Sequence, residues 1–448
     1  MSSLPHVGSA EGRPGPSLVL GPGDLGDLFG GPWPALAHRA REFAERERGR
    51  LEEEPRDAAS EQALFREALS ALGREGLLGF TVPAAFAPPT ERSRGAGVTE
   101  TVLAAETNGR SVSPEGSLEQ MLRVAAEAPG GGPSARALCL LREILAWHSG
   151  LADLAFVMQG LGSFPLALAG SKELKARWLP RVARGEAIAA LGITEPGAGS
   201  DLGAIALSAR RDGDDYVLDG DKTFISNAPL ADLVCVFART APGGIKGLSA
   251  FAVPGDQPGL DREGRIETIA AHPIGSLAFR QVRIPAAWRL GEEGEGASIA
   301  LATLARFRPT VGASAVGMAR RALDEAIRRS KERRQFGKAL AEQQGIQTKI
   351  ADGATDLEAA RLLVARAAVA LDAGERAVRE SSMAKLFATE AAGRIADEAV
   401  QIFGGLGVTR GSTVERIYRE VRALRIYEGT SEIQRTIIAR EVLKADGA

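Results

Sequence analysis

The chain has 448 residues, enough for about three domains at roughly 150 residues each. Hydrophobic residues make up 44% and charged residues 25%, a globular balance that excludes a disordered or fibrous chain. Lys plus Arg number 55 against 57 Asp plus Glu, a formal charge of -2, so no net field draws the chain to nucleic acid or to an anionic membrane.

Cys139 and Cys235 are too few for a disulfide framework, and His6, His38, His148 and His272 show no metal-ligand spacing. No metal is expected, and a reducing cytoplasm is the expected location.

Residues 1–34 are rich in Gly and Pro and lack a basic stretch leading into a long apolar run, so they read as a flexible leader rather than a signal peptide. The leader holds a literal GxGxxG, with Gly21, Gly23 and Gly26. A dinucleotide fingerprint would open a βαβ unit; a helical pattern follows instead, which makes a Gly/Pro turn the better reading. From Ala35 the pattern stays helical to Leu78, broken at Pro55, with Leu64, Leu69, Leu72 and Leu77 on the second helix. Residues 88–134, with Pro88, Pro89 and the 129–133 run of Pro and Gly, read as an irregular insertion or lid containing one short helix near 118–128.

Residues 151–170 are the most apolar stretch. Asp153, Gln159, Gly160, Gly162, Ser163 and Pro165 interrupt it, which favours a buried helix pair over a membrane span. Ser171 then caps a short helix carrying Leu174, Trp178 and Leu179. After Gly185 the period shortens: 187–193, 205–209, 216–218, 233–238, 248–253 and 277–284 are strand-like runs separated by Asp/Gly turns, as in a small barrel or sandwich. From Gly296 the pattern is helical again, and Ile350, Leu357, Val364 and Leu371 repeat every seven residues beside Ala354, Ala360 and Ala368, a bundle signature. Domains are therefore expected at 35–185, with the insertion at 88–134, and at 186–293 and 294–448.

Three loops carry candidate chemistry. In the 193–201 segment, Thr194, Gly197, Gly199 and Ser200 present N–H groups and hydroxyls to a phosphate or a ring edge; a β-turn capped by Ser200 and Asp201 is an equal reading. Gln401 to Gly407, with the Gly404-Gly405 pair, reads as a helix C-cap that also allows close approach of a ligand. In the 426–433 loop, Glu428 sits beside Ile426 and Tyr427 and ahead of Thr430, an N-cap residue type. Burial would lift its pKa from about 4.3 toward neutrality, as a general base needs; an ordinary surface carboxylate is the alternative.

With 220–227, 333–337, 342–344 and 414–420, these three motifs in this order resemble the acyl-CoA dehydrogenase family over about residues 136–445, and more loosely over 35–86. The resemblance implies a mainly α fold with a central β-domain: an N-terminal helical domain, a middle β-barrel and a C-terminal four-helix bundle. It implies FAD bound between these domains and across a dimer interface, in a homodimer or homotetramer. Leu191, Ile193, Thr194, Gly199 and Ser200 would line the flavin and pyrophosphate. Phe224 would lie against the ring, with the Ser226 hydroxyl near N5. Arg333, Gln335, Phe336, Gln344, Gln401, Gly404 and Gly405 would reach the FAD of the neighbouring subunit, and Thr430 and Glu432 complete the site. The planar fork of an Arg suits a pyrophosphate. Ser200, Arg308 and Gly429 would contact the substrate.

By the same resemblance, Glu428 stands where most members carry the base that removes the α-proton of an acyl-CoA thioester while a hydride leaves the β-carbon for flavin N5. The product would be a trans-2-enoyl-CoA, and the electrons would pass to an electron-transfer flavoprotein, a role in fatty acid metabolism. Thioester α-protons are weakly acidic, so a desolvated base and donors for the enolate-like oxygen are required.

Other members carry the base just before an arginine. That arginine is Arg308 here, and Phe307 before it takes no proton. Ala305 replaces an acidic residue that often touches pantetheine. These departures leave a carrier-protein-bound acyl group open as substrate, and the fold also serves acyl-CoA oxidases and flavin monooxygenases.

Overall fold

The computed structural model describes residues 25–87 and 132–445. The leader through residue 24 and the stretch 88–131, which holds all but the last three residues of the expected 88–134 insertion and its short helix, lie outside the described residues. Of the GxGxxG motif only Gly26 is described, inside the short helix α1 (Leu25–Phe29).

The first helical layer continues with α2 (Trp33–Arg46), α3 (Arg48–Leu51) and α4 (Ala58–Glu75). Pro55 falls in the break before α4, which starts on a reciprocal cap: Asp57 Oδ1 accepts from Ser60 N at 2.8 Å and Ser60 Oγ accepts from Asp57 N at 3.0 Å. Then come α5 (Ala135–His148), α6 (Gly150–Ala169) and α7 (Lys172–Ala183), the last capped by Ser171 on Leu174 N at 3.3 Å.

The apolar stretch 151–170 is one continuous helix, not the expected pair. Its supposed breaks are packing devices. A β-carbon at Gly160 would come within 2.9 Å of the Phe307 ring, and one at Gly162 within 2.7 Å of the Ala189 backbone, so the missing side chains admit a neighbouring helix and a strand. By length and composition α6 could cross a membrane, yet 83% of its most apolar window is buried within the protein.

Eight strands form one sheet: β1 (Ala189–Gly192), β2 (Ser208–Asp212), β3 (Asp215–Ser226), β4 (Leu233–Arg239), β5 (Leu248–Pro254), β6 (Leu260–Arg265), β7 (Ile274–Pro285) and β8 (Arg289–Leu290). Their order is β6-β7-β3-β2-β4-β5-β8, with β1 parallel to β4. The sequence reading missed β6, whose polar LDREGR has no apolar alternation. It also cut β3 short, because Gly220 and the left-handed Phe224 interrupt the period where the β3–β7 register shifts. One face of the sheet packs on Leu166, Leu174, Trp178 and Leu179 of α6 and α7. The other closes over Tyr216, Leu218, Phe251, Phe279 and Ile284. β4 is buried on both faces, and its LVCVFA run is apolar throughout.

The chain ends in α8 (Gly296–Glu332), α9 (Gln344–Asp372), α10 (Val378–Phe403), α11 (Thr413–Leu424) and α12 (Ser431–Ala445). In α9 the heptad residues Leu357, Val364 and Leu371 are buried with Ala360 and Ala368, while Ile350 and Ala354 are only partly covered. Two more short strands, β9 (Arg334–Gln335) and β10 (Lys338–Ala339), pair between α8 and α9.

Gly162→Ala is expected to destabilise by about 1–3 kcal/mol through overpacking against β1, read as a lower melting midpoint. Gly345→Ala, where an added β-carbon meets nothing within 4 Å, should cause no loss.

Candidate active site

Glu428 sits in the short connection between α11 and α12. Glu428 and Gly429 both take left-handed backbone angles, φ 53° and 92°. For a non-glycine residue that conformation stores about 1–3 kcal/mol and persists only when neighbours hold it. Gln434 Nε2 donates to the Glu428 and Gly429 carbonyls at 3.2 and 3.0 Å. From α10, Lys385 Nζ donates to the Gly429 carbonyl at 2.8 Å. Thr430 caps α12 through Ile433 N at 3.4 Å. Glu432 lies exposed in the first turn.

Part of Glu428 remains accessible, but its Oε2 is sealed from solvent and has no hydrogen-bond partner among the described residues. Burial raises its pKa above the usual carboxylate value, while Arg142, Lys385 and Arg308 pull the other way. Desolvation wins. Lys385 is fully buried, and burial draws its ammonium down to about 8 against the opposing pull of Glu428.

Arg142 is 1% exposed. Its Nε and Nη2 grip both Asp153 oxygens at 2.8 and 2.6 Å, and Nη1 donates to Thr310 Oγ1 at 3.0 Å. Ser314 Oγ donates to Asp153 Oδ2 at 2.8 Å. The same guanidinium reaches the Tyr427 phenol, whose pKa burial raises. Arg308 is buried, and its Nε lacks a partner among the described residues. Phe307 is fully buried, edge-on to Phe164 at 5.7 Å between ring centres.

The 193–201 loop is stapled to β3. Glu195 accepts from Ala206 N at 2.7 Å, Leu207 N at 3.0 Å and the buried Lys222 Nζ at 2.7 Å. Lys222 also donates to the Ile193 carbonyl at 2.9 Å, and Thr223 N donates to the Thr194 carbonyl at 2.9 Å. Leu191 and Thr194 are half-buried and Ile193 buried, whereas Gly199 and Ser200 are exposed. The turn reading is also present: Asp201 Oδ1 accepts from Gly203 N at 2.8 Å.

At the end of β3, Ile225 enters the core. Phe224 beside it is 59% exposed and Ser226 half-buried. Arg419 of α11 donates to the Ile269 carbonyl at 3.1 Å, tying the β6–β7 connection to the helix that leads to Glu428.

Arg333, Gln335, Phe336, Gln344, Gln401, Gly404 and Gly405 are all exposed: the first three follow α8, Gln344 opens α9, and the rest lie at the end of α10. Gly404, φ 62°, follows α10 as its cap, and β-carbons at Gly404 and Gly405 would meet nothing within 4 Å. At 1.5 Å per residue, Arg333 lies roughly 37 Å along α8 from Arg308. One chain therefore does not bring this group to Glu428.

An exposed aromatic face at Phe224 and open glycine backbone at Gly199, Gly404 and Gly405 fit a ring-bearing dinucleotide. Sequence reasoning missed Arg142, Asp153 as a partner, Thr310, Ser314, Lys385 and Gln434. The available signal was weak: single charged residues inside apolar helical runs, which stay buried only when paired.

Models of the acyl-CoA dehydrogenase N-terminal, middle and C-terminal domains match residues 119–186, 190–282 and 294–443. The chain belongs to the acyl-CoA dehydrogenase family. It is 44% identical over 310 residues to cyclohexane-1-carbonyl-CoA dehydrogenase of Geobacter metallireducens, covering 68% of this chain and 81% of the relative. It is 40% identical over 324 residues to the caffeyl-CoA reductase–Etf complex subunit CarC of Acetobacterium woodii, covering 70% and 84%. Butyryl-CoA dehydrogenase from Megasphaera elsdenii superposes with a TM-score of 0.74 at 30% identity, covering 94% of this chain and 98% of that one. The three-domain fold, the dependence on FAD and an oxidoreductase activity on acyl-CoA follow from membership.

Because the folded-state pKa of Glu428 is raised, the native protein binds more protons than the unfolded chain just above the ordinary carboxylate range. Stability therefore falls as pH rises through that window. Glu428→Gln removes the buried charge: its melting midpoint should match wild type in acid, rise above it as pH passes through that window and keep a constant lead beyond it.

Proposed function

We infer that this acyl-CoA dehydrogenase family member desaturates an acyl-CoA at the α,β-bond, with Glu428 as the base. The observation that carries this reading is the sealed, unpartnered Glu428 Oε2, held by a strained loop and kept at a raised pKa by burial. Such a carboxylate gains by taking a proton from carbon, because protonation removes a charge from a dry site. Arg142, Lys385 and Arg308 favour the ionised carboxylate and so oppose the upward pull of burial. Lys385 and Gln434 fix its aim through the loop carbonyls.

FAD, when bound, supplies the two-electron acceptor. Leu191, Ile193, Thr194, Gly199, Ser200, Phe224, Ser226, Thr430 and Glu432 would hold it from one chain. Arg333, Gln335, Phe336, Gln344, Gln401, Gly404 and Gly405 would hold it from a second copy, in a homodimer or homotetramer. The span of α8 supports that division. The Etf-complex relative supports an electron-transfer flavoprotein as redox partner. Its reductase name supports a second reading, in which the same site runs toward enoyl-CoA reduction. Phe307 packs on Phe164 and Gly160 and precedes Arg308, a substrate contact by family position; if it narrows the acyl pocket there, a compact acyl group is the substrate. A reducing cytoplasm suits Cys139 and Cys235, which are buried and unpaired.

In anaerobic stopped-flow bleaching of the bound flavin by acyl-CoAs of increasing length, Glu428→Gln should slow reduction by about 10²–10⁴-fold, and compact acyl groups should outrun long ones. Unchanged rates in the variant would remove Glu428 from the mechanism.

Arg333→Ala and Glu428→Gln should each inactivate a homo-oligomer. Co-expression should restore activity, because a mixed dimer carries one site with neither change. Failure of the mixture to recover would place all cofactor contacts within one chain.

A further inference from the structure

We propose that His272 is a positioning residue that sets the direction of the Ser226 hydroxyl at the cofactor edge. This rests on the reading of Ser226 as a flavin contact. His272 lies between β6 and β7, and its Nε2 is 2.8 Å from Ser226 Oγ. A histidine in such a place is usually a satisfied core residue. Here its partner is a hydroxyl at the uncovered end of β3, one residue from the core-facing Ile225 and two from the exposed Phe224.

The backbone segment that carries the ring is held from three sides. His272 N donates to Glu61 Oε2 of α4 at 2.9 Å, and the other Glu61 oxygen meets Arg265 Nη2 at 3.3 Å. Asn227 N donates to the Pro273 carbonyl at 2.6 Å. On the third side, Arg419 of α11 holds the Ile269 carbonyl. The charged side chains that hold this segment are Glu61, which pairs with Arg265, and Arg419, which pairs with Glu415 at 2.7 Å. Burial pushes the imidazole down to about 4, so it is neutral under physiological conditions. A neutral imidazole nitrogen donates in one tautomer and accepts in the other.

That property matches what a hydroxyl at a flavin edge needs. An oxidised ring nitrogen accepts a hydrogen bond, whereas a reduced one carries a proton and donates. Ser226 must therefore turn from donor to acceptor between the two states. When it accepts from the ring, its own proton needs another acceptor, and His272 Nε2 is within reach. Without that acceptor the reduced state leaves a hydroxyl proton unpaired and is disfavoured. The imidazole thus acts through Ser226 and touches neither substrate nor ring.

The test uses the full-length holoprotein without substrate and reads the two-electron flavin midpoint potential by titration against a reference dye. His272→Phe should lower it by about 30 mV, a tenfold loss in the reduced-to-oxidised ratio. His272→Gln, which keeps a carbonyl acceptor, should stay near wild type. In a Ser226→Ala background, His272→Phe should add nothing, because the pair acts as one unit. A wild-type potential in His272→Phe, or an equal fall with and without Ser226, overturns the proposal. Were Ser226→Ala to shift the potential while both His272 variants did not, only the role of His272 would fail. A wild-type protein unable to take up FAD would defeat the functional reading, and this inference with it.

Discussion

A carboxylate with one oxygen sealed and unpartnered is the constraint around which the helical layers are arranged. Glu428 is destabilised by desolvation more than its three neighbouring cations relieve it, and a chain would normally avoid that state. It persists because residues on several helices converge on it. Arg142 from α5 and Asp153 from α6 form a bidentate pair closed by Thr310 and Ser314 of α8. Lys385 from α10 and Gln434 from α12 pin the carbonyls of the loop. An apolar replacement of such a polar cluster is often as stable or more so, so its presence here accords better with the proposed role of Glu428 as a base than with holding the fold.

The β-domain contributes a complementary surface. Lys222 and Glu195 bind the 193–201 loop to β3, with Phe224, Gly199 and Ser200 exposed and Ser226 half-buried. Along the long α8 the exposed Arg333 to Phe336 turn begins roughly 37 Å from Arg308. The same helix that supplies Arg308 to one site thus carries Arg333 away from it, and the proposed closure by a second copy rests on that length.

Legibility in the sequence followed the range over which each signal acts. The cap residue Ser171, the heptad in α9 and the apolar run of β4 depend on neighbours a few residues away, and each was readable. β6 was not, because a polar strand is defined by its partner β7 and not by its own pattern. Residues 151–170 suggested two helices because Gly160, Gly162 and Pro165 signal breaks locally. In the fold, Phe307 and β1 occupy the space those glycines leave, and the helix runs through.

The sequence by itself determined the three-part order of helices, strands and helices, and the loops where chemistry could occur, because glycine turns, caps and hydrophobic periods act through the local backbone. It pointed to Glu428 but not to what makes Glu428 basic. Only the tertiary structure decided that Arg142, Asp153, Lys385 and Arg308, distant in the chain, surround that carboxylate, and that His272 meets Ser226. Burial and charge proximity are properties of three-dimensional distance, and no spacing along the chain encodes them.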